Sequence, residues 1–239
     1  MSTEREQEPG GERQGEGKRK AGRPRKLDPA AIVAVARRIL EEEGVAALSM
    51  RRVAKEVGST PMALYHHVRD KDELLMRVLS GTAATMPRPE LPEDPRERLL
   101  AVSVHMHQGL RKMPWVVEIL SLGDLSDPGA LWMVEEIIDS AMACGLDERR
   151  AVLAYRTIWH YVFGELVFQA ALERRARQPG RRRHFPEMLE EIDDSRLPRL
   201  SAVAGRWSAI TEDYDVAEEL RAVIDGLLAA AGRGEQRGS

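Results

Sequence analysis

Cysteine is nearly absent from this sequence of 239 residues, in which Cys144 is the only one. A single cysteine excludes an intrachain disulfide framework and a cysteine-rich zinc site, and it is typical of proteins from a reducing cytoplasm. Apolar runs of 18 residues are also lacking, so we expect no membrane-spanning helix. The first 27 residues are polar and charged, which predicts that no signal peptide is present. These absences favour a cytoplasmic protein with no membrane partner.

The motifs of the common enzyme classes are missing too. The sequence has no GxxxxGK[ST] loop, no GxSxG, no HExxH, no CxxC and no glycine-rich dinucleotide turn. Convincing runs of alternating β-branched residues are equally absent, whereas apolar residues recur at helical spacing through most of the chain. We therefore expect an all-α protein that is not an enzyme, with no catalytic residue, cofactor or metal site.

Positive charge is concentrated in one block, although the net charge is only −3. Residues 18–71 contain 13 Lys/Arg and 6 Asp/Glu, whereas residues 72–239 contain 21 and 28. A basic block followed by an acidic remainder is typical of a polyanion-binding module joined to a body that does not bind polyanions. Such a block can also be plain solvated surface, so charge alone leaves nucleic-acid binding open.

The chain divides into three predicted segments. Residues 1–27 lack apolar periodicity and should form a disordered basic arm. Residues 28–84 fit a three-helix helix-turn-helix domain, extended by a fourth helix near Asp70; Ser49 and Ser59 are the expected caps of the second and third helices. Four prolines in residues 86–95 mark a break. Residues 95–232 should form a larger helical domain, with helices near 95–112, 114–121, 128–144, 147–177, 186–210 and 214–231.

Ala54, Gly58 and Leu64 have the A-x3-G-x5-L spacing of a helix-turn-helix. The alanine lets the second helix approach, the glycine makes the tight turn, and the leucine packs between the helices. A helix fits the major groove of B-DNA, where base edges are distinguishable. The side chains on the other faces of this short helix are therefore candidate DNA contacts: Thr60, Met62, Ala63, Tyr65, His66 and His67.

The stretch LSMRRVAKEVGSTPMALYHHVRDKDELL, within residues 30–79, resembles the DNA-binding domain of the TetR family of bacterial transcriptional regulators. The family pattern L-Y-x-H-[VF]-x-x-K-x-x-L is matched by Leu64, Tyr65, His67, Val68, Lys71 and Leu74. The remaining chain is similar in length and helix count to the tetracycline-repressor-like ligand-binding and dimerisation domain. The resemblance implies a regulator that binds double-stranded operator DNA, most simply a repressor released by a small-molecule effector.

The resemblance also implies which side chains contact DNA. Those placed at base edges or phosphates are Arg51, Thr60, Met62, Ala63, Tyr65, His67 and Lys71. Tyr65 and His67 would hold phosphates and Lys71 would contact the DNA backbone; a structural role is the alternative for Tyr65 and His67. Met62 and Ala63 have no side-chain donor, so base readout would depend on thymine methyl groups and DNA shape.

The arm contains GRPRK, residues 22–26, which resembles the core of an AT-hook. Arg23 and Arg25, beside the rigid Pro24, would lie in a narrow A·T minor groove, because its enhanced negative potential attracts arginine. A generic basic tail is the alternative.

Aromatic, methionine and histidine side chains concentrate in the C-terminal half. Such a set is suited to an apolar pocket with a few polar handles, although the same residues also suit a plain core. The candidate pocket residues are His105, Met106, Trp115, Trp132, Tyr155, Trp159 and Phe163.

Two C-terminal helices carry more apolar surface than one chain needs. Residues 151–172 are apolar almost all round, and residues 216–231 form a wide apolar stripe. The simplest cover is a second copy of the chain, which predicts a homodimer through the helices near 147–177 and 214–231; intrachain core is the alternative. The rival function is a ligand-independent architectural DNA-binding protein, which would leave the acidic C-terminal half without a role.

Overall fold

The structure of the protein is a computed structural model that describes residues 27–123, 127–177, 184–190, 192 and 196–235. Within those ranges the chain forms α-helices and short 3₁₀ turns and contains no β-strand, which confirms the all-α prediction. The predicted arm, residues 1–27, lies outside the described residues except for Leu27, and so do Arg23 and Arg25.

The helices form an N-terminal head and a larger C-terminal body. The head, residues 27–84, contains α1 (Pro29–Glu43), α2 (Met50–Glu56), α3 (Pro61–Tyr65) and α4 (Lys71–Ala83). The body, residues 95–235, contains α5 (Pro95–Arg111), α6 (Pro114–Leu120), α7 (Leu131–Ala143), α8 (Glu148–Ala176), α9 (His184–Glu190), α10 (Pro198–Ala204), α11 (Trp207–Glu212) and α12 (Val216–Glu235).

Each helix of the head begins at a side chain that accepts a backbone N–H, and the cap of α2 is the predicted Ser49. Asp28 accepts from Ala30, Ser49 from Arg52, and Asp70 from Glu73. The third start differs from the prediction by one residue: the cap of α3 is Thr60, not Ser59. Pro61 is the reason, since its fixed φ suits the first helical position and leaves the cap to the residue before it.

The head has one tightly enclosed core. Ile32, Ile39, Leu64, Leu74 and Leu75 are fully buried in an apolar cluster to which all four helices of the head contribute. Helices as short as α2 and α3 are marginal alone in water, and their packing on this core is what stabilises them. Helix α3 ends at Tyr65, and a turn follows before α4 begins at Lys71.

In the body, α5 lies at the centre and contacts α6, α7, α8 and α12. Fully buried Val102, Ile137, Ile158 and Leu220 come from four different helices. A buried polar pair also links two of them, because the His107 Nε2 lies 2.7 Å from a carboxylate oxygen of Glu165. None of the helices in the described ranges is both long enough and apolar enough to cross a membrane.

One predicted helix of the body is wrong. Residues 186–210 were expected to form a single helix, but those that the structure describes are divided among α9, α10, α11 and non-helical positions between them. Pro198 occupies the first turn of α10, where a proline begins a helix and does not continue one, and Gly205 separates α10 from α11.

Candidate nucleic-acid interface and ligand cavity

Helix α3 presents one side to its own core and the other to solvent. Leu64 is fully buried, whereas Met62 is 71% and Tyr65 is 47% exposed. The Thr60 hydroxyl accepts the N–H of Ala63 at 3.2 Å, so this side chain is held at the helix start by its cap bond. A short helix with a large exposed methionine and tyrosine is shaped to meet another surface.

The residues predicted to contact DNA surround this exposed side. The exposed ones are Arg51, Thr60, Met62, Tyr65 and His66, and the half-buried ones are Ala63, His67 and Lys71. A turn on each side orients α3. The turn before it contains Gly58 at φ +69°, a conformation that favours glycine, and the turn after it ends at Asp70, which caps α4.

Lys71 has a partner inside the protein that the sequence pattern did not indicate. Its Nζ donates a hydrogen bond to the backbone carbonyl of Val45 at 3.1 Å, which ties the start of α4 to the turn after α1. An ammonium group has three N–H donors, so this bond leaves two for a phosphate.

Several cations of the head are neutralised by neighbouring acids. Arg52 bonds both Glu43 and Glu56, and Arg38 bonds Glu56, so that α1 and α2 are joined by a network of exposed ion pairs. The hydrogen bond from Arg52 holds the pKa of both carboxyl groups below their ordinary value. These cations are therefore partly withdrawn from any outside anion.

Arg51 and Lys55 of α2 differ from these arginines. Neither forms an ion pair with any residue in the described ranges, and both are exposed. Lys55 was missed by the sequence reasoning, which did not include it among the candidate contacts. Its exposure and basic character on the helix before α3 make it a candidate phosphate contact beside Arg51.

A cavity of about 420 Å³ lies where the end of α4 meets the body. This volume is within the usual range of small-molecule pockets, roughly 300–1,000 Å³. It is lined by Leu79, Thr82, Ala83, Met86, Met106, Leu110, Met113, Val116, Leu120, Gly123, Asp127, Ala130, Leu131, Met133, Val134, Tyr155 and Trp159. Four of these are methionines, whose flexible thioether side chains adapt to irregular apolar shapes.

The sequence-predicted pocket residues divide into two groups. Met106, Tyr155 and Trp159 line the cavity, and burial raises the pKa of the Tyr155 phenol further above physiological pH. The other four do not line it: His105, Trp115, Trp132 and Phe163.

Packing explains where these four residues lie. Trp115 is buried in the core, and Phe163 stacks on Trp159 with ring centroids 5.2 Å apart. His105 and Trp132 pack against each other at 5.8 Å, beside the proline-rich linker, with the Arg88 guanidinium over the Trp132 ring. Burial lowers the pKa of His105, which favours its neutral form. These side chains are structural neighbours of the cavity.

The cavity wall contributed by α4 was not predicted. Leu79, Thr82 and Ala83 lie on the helix that also closes the core of the head, so one helix serves both regions. A molecule in the cavity would therefore contact α4, which packs in the same head as α3.

Asp127 fixes the end of α4 to the body at the cavity edge. Its carboxylate accepts the N–H of Gly129 at 2.7 Å and the hydroxyl hydrogen of Ser80 on α4. A Cβ at position 129 would lie 3.1 Å from the Ala83 Cβ and 2.7 Å from the carboxylate, so glycine permits this close approach.

A second contact between head and body involves Glu118 of α6. Its carboxylate accepts the backbone N–H of Val45 at 3.0 Å. Val45 is thus held on both sides, since its carbonyl accepts from Lys71. Val116 and Leu120 of the same helix line the cavity, so this contact lies close to the cavity along α6.

A larger groove of about 920 Å³ lies between α8, α9 and α11. Its aromatic walls include Phe168, Phe185 and Trp207, and its described lining includes no residue of the head. The smaller cavity is the better candidate for a regulatory site, because its walls include α4.

A helix-turn-helix head, joined by a shared helix to an all-helical body with a ligand-sized cavity, is the architecture of a bacterial DNA-binding regulator. Residues 32–78 match the model of bacterial regulatory proteins of the tetR family, and residues 88–231 match the tetracyclin repressor-like C-terminal domain. The chain belongs to the TetR family.

Relatives and solved structures are consistent with this assignment. The HTH-type transcriptional repressor DrrR1 of Streptomyces coeruleorubidus is 28% identical over 215 residues, 85% of this chain and 79% of that protein. ActR of Streptomyces coelicolor, in complex with actinorhodin, is 27% identical, with a TM-score of 0.69 over 87% of this chain and 98% of ActR. BioQ with its operator is 26% identical, with a TM-score of 0.59 over 85% and 99%.

These comparisons confirm the sequence-based identification of the family. The protein is a DNA-binding transcriptional regulator and not an enzyme, since the matched family and relatives are regulators.

Proposed function

We propose that the protein is a cytoplasmic, homodimeric repressor that leaves its operator when a small molecule fills the 420 Å³ cavity. The observation that carries this proposal is the presence of Leu79, Thr82 and Ala83 in the cavity wall. An occupant that fits one position of α4 better than another shifts the population of head positions, by no more than its difference in affinity for the two states.

In this proposal α3 enters the major groove of DNA. The contacts are made by Arg51, Thr60, Met62, Ala63, Tyr65, His66, His67 and Lys71, and by Arg23 and Arg25 of the arm. The exposure of Met62 and Tyr65 supports base contact by the former and phosphate contact by the hydroxyl of the latter.

The dimer would form through α8 and α12. Val152, Leu153, Val167 and Phe168 of α8 are large apolar side chains that one chain leaves exposed, which supports a partner on this helix. Pairing two chains would place two α3 helices on successive major grooves, roughly 34–36 Å apart, and a ligand that favours another spacing would weaken binding.

Three similar proteins agree with the separate parts of this proposal. DrrR1 is a repressor, ActR has been solved with actinorhodin, and BioQ with a double-stranded DNA operator.

The first test is fluorescence anisotropy of the purified protein on the DNA upstream of its own gene, with excess nonspecific competitor and at two salt concentrations. We expect binding that survives competitor. Tyr65→Ala should weaken it about tenfold or more, since a hydrogen bond to a charged phosphate is lost. Tyr214→Ala, which changes an exposed tyrosine of the body, is the matched control.

The same experiment tests the rival function. Binding that collapses with competitor and salt, with no preference among A·T-rich sequences, would favour an architectural DNA-binding protein. Unchanged affinity of the Tyr65→Ala protein would remove the tyrosine from the interface.

A further inference from the structure

The cavity has an unusual charge balance. Among its described lining residues there is no lysine, arginine, histidine or glutamate, and Asp127 carries the single full charge. The remaining surface is aliphatic, thioether or aromatic, apart from the Thr82 hydroxyl, the Tyr155 phenol and the Trp159 indole N–H. The Thr82 hydroxyl already donates to the carbonyl of Val78 at 2.8 Å.

The Asp127 carboxylate is buried at the edge of the cavity. The residue is 9% exposed, and no ion pair joins it to any of the described residues. It accepts two hydrogen bonds, from Gly129 and Ser80, whereas a carboxylate has about four lone-pair sites. A buried carboxylate with only neutral donors is incompletely compensated, and a cation in the adjacent space would complete its surroundings.

The aromatic walls favour the same kind of ligand. The Trp159 and Tyr155 rings attract a cation through their electron-rich faces and accept a flat ring system by stacking. The thioethers of Met106 and Met133 make favourable contacts with aromatic ring edges. An anionic molecule would find no cation among these side chains and would be repelled by Asp127.

We infer that the cavity takes an apolar aromatic amine, a flat hydrophobic body with one protonated nitrogen that pairs with Asp127. This inference rests on the proposed function in that the same cavity is its effector site. Because the Asp127 carboxylate also accepts the Ser80 hydroxyl of α4, the cation binds at the point where the body holds the helix of the head.

The test uses three anthracenes that differ in one group: 9-(aminomethyl)anthracene, 9-anthracenemethanol and 9-anthracenecarboxylate. Each is titrated into the full-length protein without DNA, by isothermal calorimetry and by anthracene fluorescence anisotropy. We expect the amine to bind about tenfold or more tightly than the alcohol, as for a charge-assisted hydrogen bond, and the carboxylate to bind more weakly than the alcohol.

Two variants locate the charge effect. Asp127→Asn keeps the size and an acceptor but removes the charge, so the advantage of the amine over the alcohol should fall to about twofold or less. Glu135→Gln, at an exposed acid of α7 that does not line the cavity, should keep the full advantage. Circular dichroism of each variant reports its folding, and the ranking of the three ligands on the unaltered protein decides the question even if Asp127→Asn is unstable.

The outcomes separate this inference from the proposed function. A carboxylate that binds as tightly as the amine, or absence of binding by all three compounds, would overturn the inference. Operator binding is measured without any ligand, so a repressor that binds DNA specifically would stand in either case. An amine that ranks first on a protein with no specific DNA binding would support the site and remove the proposed function.

Discussion

The head and the body differ in how completely their helices enclose one another. In the head, the inward side chains Ile32, Ile39, Leu64 and Leu74 have no exposure, and every helix begins at a capping side chain. The body is less completely filled, because a cavity of about 420 Å³ lies where it meets α4 and an open groove of about 920 Å³ lies between α8, α9 and α11.

The difference matches what the proposed function requires of each region. Close packing and local caps hold one shape, which a surface that reads DNA requires. Space lined by methionine and other flexible side chains permits more than one arrangement, as a ligand-responsive region requires. The two regions meet at the Val45–Glu118 and Ser80–Asp127 hydrogen bonds, so changes in one can reach the other.

The largest expected effect comes from emptying the core of the head. Leu64→Ala should lower the free energy of unfolding by about 2–5 kcal/mol, because a fully buried leucine leaves a new void. Met106→Ala in the body should cost about 2 kcal/mol or less, since Met106 already borders open space. Urea unfolding followed by circular dichroism measures both; equal losses would mean that the cavity walls are packed as tightly as the head.

The head was predictable from sequence because its determinants are local. The spacing of Ala54, Gly58 and Leu64 and the caps Asp28, Ser49 and Asp70 lie within a few residues of the structures that they specify. The shift of the α3 cap from Ser59 to Thr60 shows the limit, since two adjacent residues have nearly equal capping ability and Pro61 selects between them.

The cavity was only partly predictable because its walls come from distant segments. Ser80 and Asp127 are 47 positions apart, and Val45 and Glu118 are 73 apart. Residue type identified Met106, Tyr155 and Trp159, but it also selected Trp115 and Phe163, whose packing follows from tertiary structure. Composition identifies which side chains suit a pocket, and the crossing of the helices decides which of them line it.

The next effect concerns Lys71, which is half-buried in the head and yet predicted to contact DNA. Lys71→Met should lower the melting temperature slightly through loss of the bond to Val45. It should also reduce the slope of log affinity against log salt by about 0.9 per subunit, the value for one phosphate contact, and so by about 1.8 for the proposed dimer. Lys112→Met, at the exposed end of α5, should leave the slope unchanged. A lower melting temperature with an unchanged slope would make Lys71 a structural residue alone.

A smaller effect is expected where the body holds the head. Glu118→Ala removes the acceptor of the Val45 N–H, so exchange of the Val45 amide hydrogen should become about fivefold faster, as for a hydrogen bond of about 1 kcal/mol. Glu118→Gln keeps an oxygen acceptor, so the Val45 amide hydrogen of this variant should exchange at nearly the rate of the unaltered protein. Equal exchange in the alanine variant would show that this bond does not hold the head against the body.

The smallest effect is a pH dependence confined to the head. The backbone N–H of Arg69 donates to the Glu73 carboxylate, the Arg77 guanidinium donates to it as well, and together they lower its pKa from 4.5 to about 2. A depressed pKa in the folded state stabilises the protein above pH 4.5, and this contribution is lost as the pH falls towards 2. The difference in melting temperature between the unaltered protein and Glu73→Gln should therefore shrink over that window. Glu90→Gln, in the exposed linker, should show no such change; a constant difference for Glu73→Gln would mean that Arg69 and Arg77 do not hold the carboxylate in solution.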